Sequence, residues 1–440
     1  MIYYILVVLI YSIIFLDDCN IRFDLPYTLT AICIYIVSNS IYFHRRKNIV
    51  CFELFFSLAF FLASFLTYFI VEEGAGFAFL AFSGKSQSLV QGVALAMIGY
   101  HSYLCGLSSL KYIEVNSLNC YNKRLIVSKS AANWANWICL FTFCLFIATG
   151  GMNLLYIYSS DVSRYDANIG ILLYWILAYT VAVYDSFASV DFTSLKCRIL
   201  DVMKFNKLFI VNSVIIVDFL MISGYRSQAM QVIIPILICY SVFVKKISAK
   251  VFFAILLCGL LMMIAIGTTR SGGEFNRDVS MLYYFRDFNA ANASLGFFVD
   301  EVELNGITGG SNYILQALSV VPFLQSIVGA FVDFNSFSLP SSRFYTYSFD
   351  TDSGFGTHLI GDIYYTFGLA GVIIVMYLVG RFCSSLSSFK NRYIFLMYLI
   401  FTGNAIFAVR VELLYIVRML AFGCIIFLVV EFLSKQKHSI

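Results

Sequence analysis

The sequence predicts an all-α polytopic membrane protein with about 12 transmembrane helices and one long hydrophilic loop that contains short helices. Three observations carry this. Hydrophobic residues make up 60% of the 440 and charged residues 12%, with a mean hydropathy of +0.84, more apolar surface than one soluble core hides. Apolar runs of about 20 residues, each long enough to cross a hydrocarbon core, recur along the chain. Lysines, when those runs are threaded alternately, gather on one side.

The runs fall near residues 2–16, 25–43, 49–71, 88–110, 131–150, 169–187, 208–222, 229–244, 251–267, 356–380, 393–409 and 413–433. The first lacks a basic leader and a small-residue cleavage site, so it reads as a retained helix. From an inside N-terminus, the lysine-bearing stretches at 44–47, 111–129, 196–207, 245–250, 381–392 and 435–438 share one side, and Lys85 lies opposite. That side is predicted to be cytoplasmic. The chain then divides into residues 1–267 with nine helices, the outward loop 268–355, and residues 356–440 with three more helices, all in one integral domain. Within the loop, residues 312–334 are apolar but interrupted by Pro322, which favours a re-entrant or interfacial hairpin over a further span.

Arginine does not follow lysine. Arg22, Arg164, Arg226, Arg270, Arg277, Arg286, Arg343, Arg410 and Arg418 all fall outside or within helix ends. Guanidinium kept where topology disfavours positive charge points to the planar fork that grips phosphate or carboxylate. Arg226 opens a helix after a turn glycine. Arg270 and Arg277 lie seven apart around a Gly-Gly pair, where a turn converges both on one anion or leaves them to Glu274 and Asp278. Arg410, Glu412 and Arg418 sit at the start of the last span, where ionisable groups are costly; function competes there with a structural Arg418–Glu412 pair.

The loop's end combines Arg343, Tyr345, Tyr347, Asp350 and Asp352, aromatic faces and carboxylates of the kind that hold sugars. His358 follows at the outward mouth of a helix. There it reads either as a base for a sugar hydroxyl or as a packed, hydrogen-bonded histidine. Asp17 and Asp18 read as a solvated turn. The 12 cysteines are scattered, none lies in the long loop, and no Cys/His cluster suggests a metal.

The layout, together with GYRSQ (Gly224 to Gln228), RSGG (Arg270 to Gly273) and GTHLIGDIYYTFGLAGVII (Gly356 to Ile374), resembles the O-antigen polymerases of the Wzy-dependent pathway and the wider oligosaccharide repeat-unit polymerases. The resemblance implies a GT-C-like fold in the bacterial inner membrane with its active site facing the periplasm. It implies a metal-independent, inverting glycosyltransferase that moves the growing glycan from undecaprenyl pyrophosphate onto a new undecaprenyl-pyrophosphate-linked repeat unit. No cofactor is required, because the lipid pyrophosphate is already an activated leaving group. A chain-length regulator is the implied protein partner, and nothing points to nucleic acid. In this reading Arg226, Arg270 and Arg277 act catalytically with His358, while Arg343, Tyr345, Asp352, Asp362, Tyr364, Arg410, Glu412 and Arg418 bind substrate. The related O-antigen ligases carry a histidine near the position of His358, followed by asparagine. Leu359 follows here, which keeps Asp352, Asp362 and Glu412 as alternative bases. A lipid-linked oligosaccharide flippase and an O-antigen ligase are the competing functions.

Overall fold

The computed structural model describes residues 1–16, 21–44, 46, 50–66, 69, 86–109, 125–155, 169–190, 206–270, 286–333, 338–349 and 355–436, with backbone alone at 86, 169, 226, 260, 262–270, 286–290 and 436. Among them there is no strand. In chain order the helices are α1 (Ile2–Leu16), α2 (Leu25–Phe43), α3 (Phe52–Phe65), α4 (Ser86–Ser108), α5 (Lys129–Ala148), α6 (Ile169–Ala188), α7 (Lys207–Ile222) and α8 (Arg226–Cys239). They continue with α9 (Ala249–Arg270), α10 (Arg286–Asn305), α11 (Ser311–Leu318), α12 (Leu324–Gly329), α13 (Ser341–Tyr347), α14 (Leu359–Leu386), α15 (Arg392–Gly403) and α16 (Leu413–Gln436).

The helix starts are written in the sequence. Asp24, Ser128, Asn206 and Asn391 each accept a hydrogen bond from the backbone N–H three residues on, at 3.0, 3.2, 3.2 and 2.9 Å. Each satisfies a donor that would otherwise be orphaned, at about 1 kcal/mol per cap.

Among the described residues each predicted span contains a helix, and six stretches are long and apolar enough to cross a membrane: Leu25–Phe43, Lys129–Ala148, Gly170–Ala188, Ser227–Val244, Leu359–Leu386 and Leu413–Lys435. α1 shows why apolarity here means lipid and not only core. Tyr4, Val7, Val8, Tyr11 and Phe15 pack inward on one face, while Ile2, Ile5, Leu9 and Ile13 on the other are equally apolar yet exposed. The fold defines the class: an α-helical membrane protein.

α4 lies at the centre of one half, packed against α1, α10 and α14, and α6 lies at the centre of the other, among α5, α8 and α16. α4 meets α14 with no side chain between: a Cβ on Gly106 would sit 2.0 Å from the Tyr377 carbonyl oxygen, and one on Gly380 2.1 Å from that of Tyr103. Such backbone contact is how helices pack tightly where lipid supplies no hydrophobic drive.

The described part of the loop packs into the bundle more closely than the sequence suggests. α10 buries Ala291, Leu295, Phe298 and Val299 against α3, α4 and α14. α14 breaks at Gly368 (φ 70, ψ −168), which frees the carbonyls of Tyr365 and Thr366 from their helical partners. The N–H groups of Thr308 and Gly309 occupy them at 3.0 and 3.1 Å, docking the loop onto the helix. The apolar stretch expected to form a hairpin carries two short helices over its described residues, α11 and α12, separated at Pro322 and Phe323.

Candidate functional site

A cavity of about 220 Å³ lies between the loop helices and the start of the last span. α11 and the turn after it supply Gln316 and Ser319, α12 supplies Gln325, and α13 supplies Ser342 and Arg343. Glu412, Tyr415 and Arg418 close it from the side of α16. Arg343 and, much later in the chain, Glu412 and Arg418, each singled out from the sequence, thus share one space.

Buried carboxylates hold the walls. The Asp362 side chain is fully buried and accepts from Tyr313 OH and Ser341 Oγ, both at 2.6 Å, and from Leu413 N at 3.1 Å. One residue of α14 therefore fixes α11, α13 and the first turn of α16, the three elements around the cavity. Its oxygens are occupied by protein, so Asp362, expected to touch substrate, positions the residues that line the space. Glu412 Oε1 accepts from Ser342 N at 3.2 Å and, in a short contact, from Ser342 Oγ. This satisfies an orphan N–H at the start of α13, which has no side-chain cap of its own. No hydrogen bond among the described residues reaches Oε2 of Glu412.

The guanidinium groups are treated differently. Neither Arg343 nor Arg418 has an ion-pair partner among the described residues, so the Arg418–Glu412 pair considered from sequence does not form. Arg418 lies over the Tyr415 ring at 5.0 Å, and its Nη1 reaches Ser319 Oγ only at 3.5 Å. Its Nε is buried without a hydrogen-bond partner. A buried guanidinium N–H is rarely left this way unless something outside the protein completes it.

His358 is not at the cavity. Fully buried, it caps α14: Nδ1 accepts from Ile360 N at 3.1 Å, which leaves Nε2 to donate to Ser64 Oγ at 3.0 Å. The Phe60 ring meets it edge-on at 5.2 Å, and its own N–H donates to Ser294 Oγ at 2.9 Å. Burial pushes the imidazole down to about 3, so it stays neutral and engaged on both sides. The packed alternative describes this histidine, and the base reading does not fit its surroundings.

Tyr345, expected as a sugar platform, is fully buried against Phe298 and Phe349, because Ser341 and Tyr345 share the inner face of α13. Tyr364 meets the Phe15 ring at 5.5 Å, facing α1 and not the cavity. The Arg410 carbonyl accepts from Thr357 N at 3.2 Å, next to Gly356, whose φ of +73 and lack of a Cβ allow the close approach; Arg410 does not line the cavity. Arg226 opens α8 and Arg270 closes α9, but their side chains lie outside the described residues, as do Arg277, Asp352, Asp17 and Asp18 entirely.

Sequence reasoning missed Tyr415, Ser342 and the two glutamines. Tyr415 stands three residues before Arg418, one helical turn away, a spacing that places a ring beneath a guanidinium. Among the described residues no group of three His, Cys, Asp or Glu side chains is gathered closely enough to hold a metal ion. Compared with protein-family models, curated proteins and solved structures, the chain matches none.

Proposed function

We propose that the chain is an inner-membrane glycosyltransferase of the O-antigen polymerase kind, with about 12 spans, joining lipid-pyrophosphate-linked oligosaccharides at the periplasmic face. The observation that carries this reading is a cavity where two guanidinium groups, without ion-pair partners among the described residues, stand beside a carboxylate one of whose oxygens accepts no hydrogen bond from those residues.

Arg343 and Arg418 bind the donor diphosphate and stabilise the charge that develops as it leaves. Oε2 of Glu412 removes the proton from the acceptor hydroxyl, whose oxygen attacks the anomeric carbon. The bond from that carbon to the diphosphate oxygen breaks, and its electron pair stays on the diphosphate between the guanidiniums. Attack opposite the leaving group inverts the anomeric centre. Asp362 touches neither substrate and holds the walls in register.

The test is the purified protein, reconstituted in bilayers and given only lipid-linked repeat units. The expected product is a ladder of multiples, lost in Glu412→Gln. A wild-type protein that yields no ladder from the defined glycolipid rejects the reading, and a Glu412→Gln variant that polymerises normally rejects the assigned base.

A further inference from the structure

α12 adjoins α11, yet none of its six residues is buried. Yet it is apolar, and Phe323, Ile327 and Phe331 are 81%, 58% and 86% exposed. A helix of this length does not hold itself together in water, and a strip with three large apolar side chains in the open requires a cover. The exposed residues recur every four positions, and the hydrogen bonds from Ile327 N to Phe323 O (3.0 Å) and from Val332 N to Val328 O (3.0 Å) keep a helical path through both ends. Ile327 and Phe331, four residues apart, therefore fall on one side, while Gln325, two residues before Ile327, falls on the other. That other side is the cavity, which Gln325 lines with Arg343 and Arg418.

α12 is thus a partition with a polar face on the candidate site and an apolar face outward. At six residues it is about 9 Å long, far too short to cross a bilayer. Phe323 turns the chain into it with φ at +65, a region that non-glycine residues rarely occupy, immediately after Pro322. The backbone is held in a costly conformation that sets a phenyl ring outward.

We propose that α12 lies in the surface of the bilayer, with Phe323, Ile327 and Phe331 among the lipid acyl chains and Gln325 facing the cavity, so that the cavity wall and the membrane surface are two sides of one helix. The occupant is bilayer phospholipid. The surrounding chain already exposes apolar helix faces of the same kind on α1, and one face of a short helix sunk to the headgroup boundary is the known geometry of interfacial segments. In combination with the proposed function, on which this clause alone rests, the arrangement sets the Arg343–Arg418 cavity at the depth of lipid phosphates, so an anionic lipid enters sideways past α12.

The experiment places a photo-crosslinking phenylalanine analogue at position 323, 327, 331 or 325 in the full chain, reconstituted in phosphatidylglycerol and phosphatidylethanolamine nanodiscs. Mass spectrometry then identifies the adducts. Phospholipid acyl-chain adducts at 323, 327 and 331, several-fold above those at 325, are expected. Equal labelling at 325, or crosslinks at 323 and 331 to a second copy of the chain in place of lipid, overturns the proposal. Phe323→Ser with Phe331→Ser supplies a second measurement: photo-crosslinking to lipid from position 327 should fall several-fold while the protein elutes unchanged from a sizing column, and an unchanged yield counts against the membrane as the partner. Neither readout depends on polymer formation, so loss of the enzymatic reading leaves this one standing, and the reverse.

Discussion

Among the described residues arginine, glutamate and tyrosine meet at three places, and they are assembled in two ways. At the end predicted to be cytoplasmic, Arg46 pairs with Glu53 at 2.7 Å, with the Tyr42 ring 4.8 Å from the guanidinium carbon. Nearby in kind, Arg392 pairs with Glu431 at 2.5 Å, and Tyr393 donates to the same carboxylate at 2.7 Å. In the cavity the same three residue types stand together as Arg418, Glu412 and Tyr415, yet the carboxylate is engaged by Ser342 and the guanidinium by a ring face. Charges that neutralise each other hold helices together. Charges kept apart in one cavity are set for a ligand that carries its own.

The largest effect expected from that contrast concerns Arg418. Replacing it with Ala should lower polymer formation by about 100-fold or more, the range seen when one donor to a developing anion is removed. Thermal unfolding in detergent should change by no more than about 0.5 kcal/mol, because no ion pair is lost. Arg418→Lys should restore little, since a point charge lacks the fork and the flat face that rests on Tyr415. Full polymer from Arg418→Ala would erase the distinction between the two ends.

The complementary change is Glu53→Gln. It leaves the Arg46 guanidinium buried opposite a neutral group, with side-chain exposures of only 7% and 1% for the pair. Breaking a buried pair by removing one partner costs about 3–5 kcal/mol. The unfolding midpoint should therefore drop strongly, while polymer made per folded molecule stays level. If activity falls and stability does not, the Arg46–Glu53 cluster is more than a fastening.

Asp362 tests the connection between holding and binding. An amide at this position keeps the shape but offers one accepting oxygen to three donors. Asp362→Asn should therefore cost about 1–3 kcal/mol, and Ser341→Ala about 1 kcal/mol. Both should weaken substrate more than they slow turnover, seen as KM rising with kcat nearly constant. A large fall in kcat for Ser341→Ala, which removes only a hydroxyl from the wall, would mean that Asp362 has a chemical role.

How much of this was legible follows from what each feature depends on. Span positions are local: an apolar run of sufficient length declares itself, and the described part of every predicted run holds a helix, six of the stretches being long and apolar enough to cross a membrane. Faces are not local, because in a membrane protein the lipid side and the packed side are both apolar. The helix at 286–305 was missed although Ala291, Leu295, Phe298 and Val302 recur at helical spacing, because its small and polar residues lower its hydropathy. The grouping of Arg343, Glu412 and Arg418 was half legible: topology marked each as misplaced for a cation or costly for its depth, but only the fold shows that they converge. For the histidine the sequence left two readings open, a base and a packed side chain, and nothing local decided between them. Its environment is built by Phe60 and Ser64, nearly three hundred residues earlier, and a polar turn before a helix gives no sign of them.

That histidine supplies the smallest predicted effect, and the sign of its pH dependence separates the two accounts of it. In the unfolded chain it titrates near 6.5, whereas burial holds it down to about 3 in the fold. Between those values the unfolded state binds the extra proton and the folded state does not, so stability is complete above about 6.5 and declines as the pH falls toward 3. His358→Asn keeps a side-chain acceptor for the Ile360 N–H and removes the titration. It should cost about 1 kcal/mol or less near neutral pH, and flatten the acid limb of the unfolding curve relative to wild type. His358→Ala should flatten the limb in the same way but cost more at every pH, since the cap is lost as well. Polymerisation by His358→Asn should persist near neutral pH. If it vanishes there while the fold is intact, the imidazole takes part in proton transfer after all, and the cavity beside Glu412 is only part of the site.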